Sequence, residues 1–508
     1  MRVRPRPLAV LREDRPAPTS RALGPLHDVL DLIEFGRLGT EEALIKWEAA
    51  PKRPVHPALV QWTEHAVRGY LAATAALPAA PGIPPDVPLE PFSRVWARQR
   101  GPLRPGDPDR YEEIVLDRRY AGHGVRELRL VRAGSVEKNP PDDMEIAVAA
   151  GVLAGGRPVL SSRWAATPLV LGGYEPPRFV RLVEIGCADG SHRVLFEGPP
   201  AEAYARYTPE VEAHVGRIVA GGSYRPGKNC GRCAAVADCP AVVSAPGLLA
   251  VAAPGAPRRS WSVTTGRSYR RCPARSHLEG LFLPRETAAE DTEAVIRGRA
   301  VHAWIESRHR RSPQQPCTPD DVPGPPEAWR YQEWSLSGLQ ARLGIQMIAD
   351  HALVCPLQNR PADTEVHPER TVVAYDPTAG VVVLAKSDLL YRVADRWTLR
   401  ETKTARVPDE GNLLAQHPQL ALAVLLSHAG VLPGRHCGVE LERLTGTGPI
   451  VTRFDVAAPD VAAEARTVMA EYIAPWRADS QFTTAPGAAC TDCPFTRWCP
   501  DAAAGGSR

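Results

Sequence analysis

The run Val381-Val382-Val383-Leu384-Ala385-Lys386-Ser387-Asp388-Leu389-Leu390-Tyr391-Arg392-Val393, followed after a few polar residues by Trp397-Thr398-Leu399-Arg400-Glu401-Thr402-Lys403, decides how this chain is read. Both halves are strand-like and a short polar turn separates them, so they are expected to form two paired strands. Side chains alternate across a strand, which puts Glu401 and Lys403 on one face. With a two-residue turn at Ala394-Asp395, Asp388 falls opposite Glu401; a three-residue turn would break that pairing. Two carboxylates at cross-strand distance, roughly 5 Å, repel each other unless a cation lies between them. A divalent ion with oxygen ligands, Mg2+ or Mn2+, meets that need. A lysine on the same face can steer or deprotonate a water, or stabilise charge developing on a phosphate. Glu-x-Lys in isolation is ordinarily an ion pair on a solvated hairpin, so the surroundings must decide.

The 508 residues allow two or three domains. Hydrophobic residues at 44% and charged residues at 23% are ordinary globular usage, which argues against wholesale disorder. No apolar run approaches the ~18–20 residues of a spanning helix, so no membrane association is expected. The opening Met1-Arg2-Val3-Arg4-Pro5-Arg6-Pro7 has no apolar stretch behind it and runs into Arg12-Glu13-Asp14-Arg15, so a cytoplasmic location is expected. A net charge of +3 excludes a polycation that coats nucleic acid, and any basic binding surface must be local. Only six of the 61 basic residues are lysines, at 46, 52, 138, 228, 386 and 403, so a lysine carries more information here than usual.

Along the chain, residues 1–95 read as a mostly helical region (26–47 and 56–76) without a chemical motif. Residues 96–240 form a module with strand text at 125–131, a helix at 143–154, a hairpin at 179–185 and 192–197, and a helix at 201–220. The Pro/Gly/Ala-rich residues 241–260 read as a linker. A second module spans 261–501, and 502–508 form a tail.

Eleven cysteines fall at 187, 230, 233, 239, 272, 317, 355, 437, 490, 493 and 499, and six of them make two tight groups of three. Close clusters in a cytosolic chain point to metal ligation, because disulfides are rare there. Pro226-Gly227-Lys228-Asn229-Cys230-x2-Cys233-x5-Cys239-Pro240 matches Pro486-Gly487-Ala488-Ala489-Cys490-x2-Cys493-x5-Cys499-Pro500 without a gap. Arg126-Glu127-Leu128-Arg129 aligns with Arg400-Glu401-Thr402-Lys403, and Glu145 then stands where Gln419 stands. The chain therefore reads as two related modules. In the first, Arg129 replaces the lysine and its pKa is too high for proton transfer. No counterpart of His302 or secure counterpart of Asp388 is found there, although Glu113 and Asp117 lie nearby, so that module is expected to be inactive. Its triplet lacks an upstream partner unless Cys187 serves, which leaves Cys187, Cys230, Cys233 and Cys239 as a candidate second metal site. Gly222 to Asn229 nearly spells a phosphate-binding loop but lacks the Ser/Thr that holds Mg2+ and runs into cysteines instead of a helix, so it is set aside.

Arg297-Gly298-Arg299-Ala300-Val301-His302-Ala303-Trp304-Ile305-Glu306 precedes the acidic pair and looks helical, with His302 and Glu306 one turn apart. Together with Tyr269-Arg270-Arg271-Cys272-Pro273 upstream and Gln419 downstream, the order resembles the iron-sulfur branch of the RecB-like PD-(D/E)XK nucleases, the group that includes the AddB nuclease domain and the CRISPR-associated iron-sulfur exonucleases. The resemblance covers roughly residues 261–500. It implies an α/β fold: a PD-(D/E)XK restriction-endonuclease-like core of a mixed sheet flanked by helices, with an iron-sulfur staple, preceded by the related degenerate module and the helical N-terminal region. It implies that His302, Asp388, Glu401 and the Thr402 carbonyl hold Mg2+ or Mn2+, that Lys403 activates or orients the attacking water, and that Gln419 helps place the lysine or a DNA phosphate. Cys272, Cys490, Cys493 and Cys499 fit the family's cluster ligands. Four thiolates suit either a [4Fe-4S] cluster or zinc, and the resemblance favours the cluster. One departure is visible: the family often has a tyrosine four residues after its glutamine, and here that position is Ala423. Glu365 or Glu369 is a candidate for a further acidic contact, and Arg267, Tyr269, Arg271 and Lys386 for contacts to a strand. The expected activity is metal-dependent DNA cleavage on single strands or ends, in repair, recombination or defence, with DNA as partner and a separate helicase or defence-complex subunit as a further one. The rivals are a non-catalytic DNA-binding scaffold subunit that keeps the fold, and a zinc-bound regulatory protein with no DNA role.

Overall fold

The computed structural model describes residues 2–5, 22–51, 55–83, 87–101, 111–137, 140–160, 169–221, 224–233, 235–286, 292–407, 410–434 and 437–502. Residues 6–21 of the N-terminal region, Gly222-Ser223 and tail residues 503–508 lie outside this set. By its internal contacts the chain forms two units: Met1–Ser223 with Leu278–Arg285 and Phe495–Ala503, and Tyr224–His277 with Glu286–Pro494 and Ala504–Arg508.

The first unit begins with helices α1 (Leu23–Glu34), α2 (Thr40–Ala49) and α3 (Pro57–Ala75). The helical text at 26–47 breaks in two at Phe35 to Gly39, where Arg37 takes a positive φ of 55°. These helices fold with the module behind them: Arg118 donates to Asp31 at 2.6 Å, and the Tyr70 and Tyr120 hydroxyls lie 2.6 Å apart. Strands β1 (Glu90–Pro91), β2 (Arg118–Gly122) and β3 (Val125–Arg132) are followed by α4 (Asp143–Gly155), capped by the Asp142 carboxylate on the Met144 N–H. Then come β4 (Phe179–Gly186), β5 (His192–Gly198), α5 (Pro200–Ala205) and α6 (Pro209–Ala220). The expected single helix over 201–220 is interrupted before Pro209, whose ring starts the second helix. The sheet order is β1-β2-β3-β4-β5, with β3 and β4 parallel and every other pair antiparallel. A smaller antiparallel sheet joins Arg2–Pro5, Tyr111–Ile114, Trp96–Arg100 and Arg157–Pro158.

In the second unit, residues 241–260 do not run free as a linker would. They hold β6 (Val243–Ser244) and β7 (Arg259–Trp261), and Leu248 and Leu249 are buried in the core between them. The buried Asp376 carboxylate fixes this stretch by accepting from the Gly247 and Leu249 N–H groups at 3.0 and 2.9 Å. Helices α7 (Val263–Arg271), α8 (Glu293–His309) and α9 (Gly338–Val354) follow, the first two capped by Ser262 and Thr292. Next are β8 (Val366–Pro368), β9 (Thr371–Asp376), β10 (Val381–Lys386), β11 (Leu389–Val393), β12 (Arg396–Thr404), α10 (Pro418–His428), β13 (Gly438–Thr445), β14 (Gly448–Phe454) and α11 (Pro459–Ala478). The main sheet has the order β8-β11-β12-β13-β14, with β12 and β13 parallel and the other pairs antiparallel.

This connectivity repeats that of the five-stranded sheet of the first unit, strand for strand, and α10 follows β12 as α4 follows β3. The two-module reading of the sequence therefore has its counterpart in topology. Helices α10 and α11 bury an apolar cluster with Leu399, Val439 and Leu441. A second cluster joins α8 and α9 through Val301, Trp304 and Ile348, together with Leu444 of β13. Strand β13 thus carries its side chains toward two separate apolar layers, Val439 and Leu441 to one and Leu444 to the other.

The run from Val381 to Val393, expected as one strand, is broken. Strand β10 belongs to the four-stranded sheet β6-β9-β10-β7, and β11 to the main sheet. Between them the Ser387 N–H donates to the Arg370 carbonyl, and the Asp388 carbonyl accepts from Glu369 N–H. The chain changes sheets at Ser387-Asp388, which places Asp388 at the corner. Among the described residues, no helix is long and apolar enough to cross a membrane.

Candidate active site

Strand β12 pairs with β11 so that Leu389 faces Arg400, and Asp388, one residue ahead, falls opposite Glu401. The turn at Ala394-Asp395, with Ala394 at φ 50°, delivers the register expected for two turn residues. The Thr402 N–H donates to Asp388 Oδ2 at 2.7 Å, and His302 Nδ1 of α8 lies 3.6 Å from Asp388 Oδ1. Lys403 Nζ donates to Glu401 Oε1 and, at 3.1 Å, to the Thr402 carbonyl. Gln419, at the start of α10, donates to the same Glu401 oxygen at 3.1 Å, and its own oxygen accepts from Arg267 of α7 at 2.6 Å.

The electrostatics follow from burial. Glu401 is only 7% exposed. Its pKa is pushed up by burial and by the neighbouring Asp388 carboxylate, against the pull of Lys403. Burial likewise raises Asp388, again against Lys403. Burial, then the Lys403 ammonium, push His302 down to about 4, so its imidazole is neutral at pH 7 and offers a lone pair. A buried carboxylate and a half-buried one, a neutral imidazole and a main-chain carbonyl form an oxygen-rich donor set with one nitrogen, which fits Mg2+ or Mn2+.

An open cleft of about 330 Å3 leads to this set, lined among others by Lys228, Arg267, Lys386, Glu401 and Gln419. His302, Asp388 and Thr402 line a narrower recess together with Glu306, Glu369 and Glu442. Of the two further acids considered, Glu369 lies at this recess and pairs with Lys386, whereas Glu365 pairs with His367 at 2.9 Å on the exposed side. Ala423 also lines the open cleft, at the position where the resembled family often carries tyrosine. Tyr269 is engaged elsewhere, its hydroxyl bonding Asp479 at 3.0 Å.

The corresponding place in the first unit has different chemistry. Tyr120 stands opposite Glu127, where Asp388 stands opposite Glu401. Arg129 donates to Glu127 Oε1 at 2.5 Å, Arg181 lies 3.3 Å from Oε2, and the Arg129 guanidinium sits 3.6 Å over the Tyr120 ring. Two arginines already neutralise this carboxylate, and no second acid faces it across the strand pair.

All eleven cysteines are free of disulfides. Cys490, Cys493 and Cys499 each close a tight backbone turn, with N–H bonds to the Gly487, Cys490 and Thr496 carbonyls, and Cys230 and Cys233 repeat the first two of these bonds. Cys272, Cys490 and Cys493 lie in the second unit and Cys499 in the first. Cys187 is fully buried in the first unit, and burial pushes its thiol up. Its proposed companions Cys230, Cys233 and Cys239 fall in the second unit, where Cys230 and Cys239 pack against an apolar cluster containing Val373 and Val382.

Sequence reasoning passed over three features of this neighbourhood. The sequence suggests Arg267 only as a strand contact, yet its guanidinium holds Gln419. Glu442 of β13 accepts from Thr402 Oγ1 at 2.9 Å and lies 2.7 Å from His351 Nδ1. His309, Cys317, His351 and Cys355 bring four ligand atoms within 4.8 Å of one another. The His351-x3-Cys355 spacing at the end of α9 was the available signal for the last.

Residues 260–500 match the PD-(D/E)XK nuclease superfamily, a match that indicates a metal-dependent nuclease with nucleic acid as substrate. No curated protein matches the chain.

Proposed function

We propose that the second unit is a divalent-metal-dependent deoxyribonuclease that hydrolyses phosphodiester bonds on single-stranded DNA or DNA ends. The observation that carries this reading is the seat of Lys403: its ammonium bridges the Glu401 carboxylate and the Thr402 carbonyl, two of the groups expected to hold the cation. An acidic pair with an ammonium seated on one of its members is a place where a bound ion can exchange with that side chain.

Asp388, Glu401, His302 and the Thr402 carbonyl would hold Mg2+ or Mn2+. The ion supplies charge neutralisation at the scissile phosphate and acidifies water. Lys403 then has two tasks open to its three donors: orienting the attacking water and stabilising the charge that develops on a phosphate oxygen. Gln419, held by Arg267, keeps the Glu401 carboxylate in one rotamer while Lys403 moves. Lys228 and Lys386 at the open cleft supply positive charge for a phosphate backbone.

We assign Cys272, Cys490, Cys493 and Cys499 to a [4Fe-4S] cluster rather than zinc. The support is the order of motifs around the match, the absence of disulfides and the tight turns at the last three. The first unit is a catalytically silent relative of the second, because its acid pair is replaced by Tyr120 and an arginine-neutralised Glu127. Repair, recombination or defence in the cytoplasm, beside a separate helicase or defence-complex subunit, is the setting this activity suits.

The test is cleavage of end-labelled single- and double-stranded DNA by anaerobically prepared protein with Mg2+ or Mn2+, beside Lys403→Ala. Metal-dependent cutting lost in the variant supports the reading. DNA binding without any cutting would move the assignment to a scaffold subunit.

A further inference from the structure

At the far end of α8 and α9, remote in sequence from both cysteine triplets, His309, Cys317, His351 and Cys355 converge. All four are buried, at 1%, 1%, 0% and 3% exposure. Their ligand atoms lie within 4.8 Å of one another. His351 Nε2 is 3.4 Å from His309 Nε2, which in turn is 3.6 Å from Cys355 Sγ. Metal bonds of about 2.0–2.1 Å to nitrogen and about 2.3 Å to sulfur imply tetrahedral edges of roughly 3.3 Å between nitrogens and roughly 3.6 Å between nitrogen and sulfur. The His309–His351 and His309–Cys355 spacings match those edges.

The chemistry agrees with the distances. His351 lies in the last turn of α9 and Cys355 is the C-cap residue that follows that turn, which brings the two to the same end of the helix. His351 Nδ1 lies 2.7 Å from a Glu442 oxygen, so in the neutral ring the proton belongs on Nδ1 and the Nε2 lone pair points into the group. A carboxylate behind a ligating histidine is the usual outer partner at zinc sites. Trp304, Ile345, Met347 and Ile348 pack around them. The Cys317 N–H also points at Cys355 Sγ, at 3.4 Å, which draws the loop of Cys317 onto the group.

We propose that these four residues form a structural zinc site that braces the catalytic strand. Two histidines and two cysteines close the tetrahedron and leave no open position, which excludes a hydrolytic role for this ion. The brace runs from His351 to Glu442, from Glu442 to Thr402 Oγ1 at 2.9 Å, and from the Thr402 N–H to Asp388 at 2.7 Å. The four residues come from α8, the loop behind it and the end of α9, so one ion ties α9 to the helix that carries His302, and Glu442 relays that hold to the strand that carries Glu401. His351 and Glu442 act here as positioning residues. The metal assignment stands on the tetrad and does not depend on the nuclease reading.

The experiment is metal analysis of the full-length protein together with anomalous diffraction at the zinc edge. In crystals of the wild-type protein an anomalous peak bonded to His309, His351, Cys317 and Cys355 is expected. In the Cys317→Ser/Cys355→Ser variant, zinc falls by one equivalent per chain while iron is unchanged. Wild-type crystals with no anomalous peak in the tetrad, or with a Cys317–Cys355 disulfide, overturn the proposal, and so does a soluble variant with undiminished zinc. The wild-type crystal decides the matter if the variant fails to fold.

Discussion

Asp388 faces Glu401 across the β11–β12 pair, and the same carboxylate receives the N–H of Thr402, so the two acids are locked in register by the strand that carries one of them. Neither can relax away from the other without breaking a main-chain pairing. Their mutual repulsion is therefore built in, and Lys403 is the group that relieves it in the metal-free protein.

That makes Lys403 the most informative single substitution. Lys403→Ala removes both the partner of Glu401 and the donor assigned to the water and phosphate. Cleavage should fall by about 100- to 1,000-fold, the range expected for one donor to developing charge. Affinity for labelled single-stranded DNA, measured in Ca2+, should change far less. Lys403→Arg should not restore cleavage, because the planar guanidinium is bulkier and stays protonated. Cutting at the wild-type rate by Lys403→Ala would remove the lysine from the chemistry.

Metal binding should grow with pH. Burial raises Asp388 and Glu401, so their folded-state values exceed their unfolded ones. In EDTA the ionised pair is then a destabilising element, present above the folded values and relieved as pH falls through them. Mn2+ reverses this, since it needs both carboxylates ionised. His302, pushed down to about 4, stays neutral and does not compete. The melting-temperature gap between Mn2+ and EDTA should widen as pH rises from about 5 to about 8. Asp388→Asn should flatten it, and a wild-type gap indifferent to pH would contradict the assignment of these two acids as ligands.

How much of this was legible in the sequence differs residue by residue. The opposition of Asp388 and Glu401 could be read, because the length of a hairpin turn fixes register and Ala394-Asp395 is short and polar. The break at Ser387-Asp388 could not, since Val381 to Val383 and Leu389 to Tyr391 are equally good strand text on either side. What bends the chain there is the Arg370 carbonyl and Glu369 N–H of a neighbouring segment, a tertiary fact. Residues 241–260 misled for a related reason: Pro, Gly and Ala suggest a linker, while the deciding partner, Asp376, lies more than a hundred residues away. The His309, Cys317, His351 and Cys355 group escaped because its halves sit on different elements, and each half alone resembles ordinary buried residues.

Arg267 acts through Gln419, and the two should behave as one unit. Arg267→Ala frees the Gln419 side chain, and Gln419→Ala removes the support of Glu401. Each should slow cleavage, Gln419→Ala more. The double variant should be little worse than Gln419→Ala, giving a coupling of about 0.5–3 kcal/mol in a double-mutant cycle of rate constants. Strictly additive losses would place Arg267 on the DNA instead.

Glu127 provides the contrasting case. It is held by Arg129 and Arg181 at 2.5 and 3.3 Å, with side chains 2%, 10% and 2% exposed in that order. Glu127→Gln removes the charge and leaves two buried guanidinium groups undercompensated, a loss typically worth about 3–5 kcal/mol when one partner of a buried pair is removed. Thermal melting should show this as a clear destabilisation. DNA cleavage per folded molecule, assayed well below the lowered transition, should stay unchanged if, as proposed, the first unit supplies no catalytic group. The symmetrical substitution Glu401→Gln should do the reverse, abolishing cleavage while relieving the repulsion with Asp388. A loss of cleavage in Glu127→Gln with stability intact would show that the first unit shares in the chemistry after all.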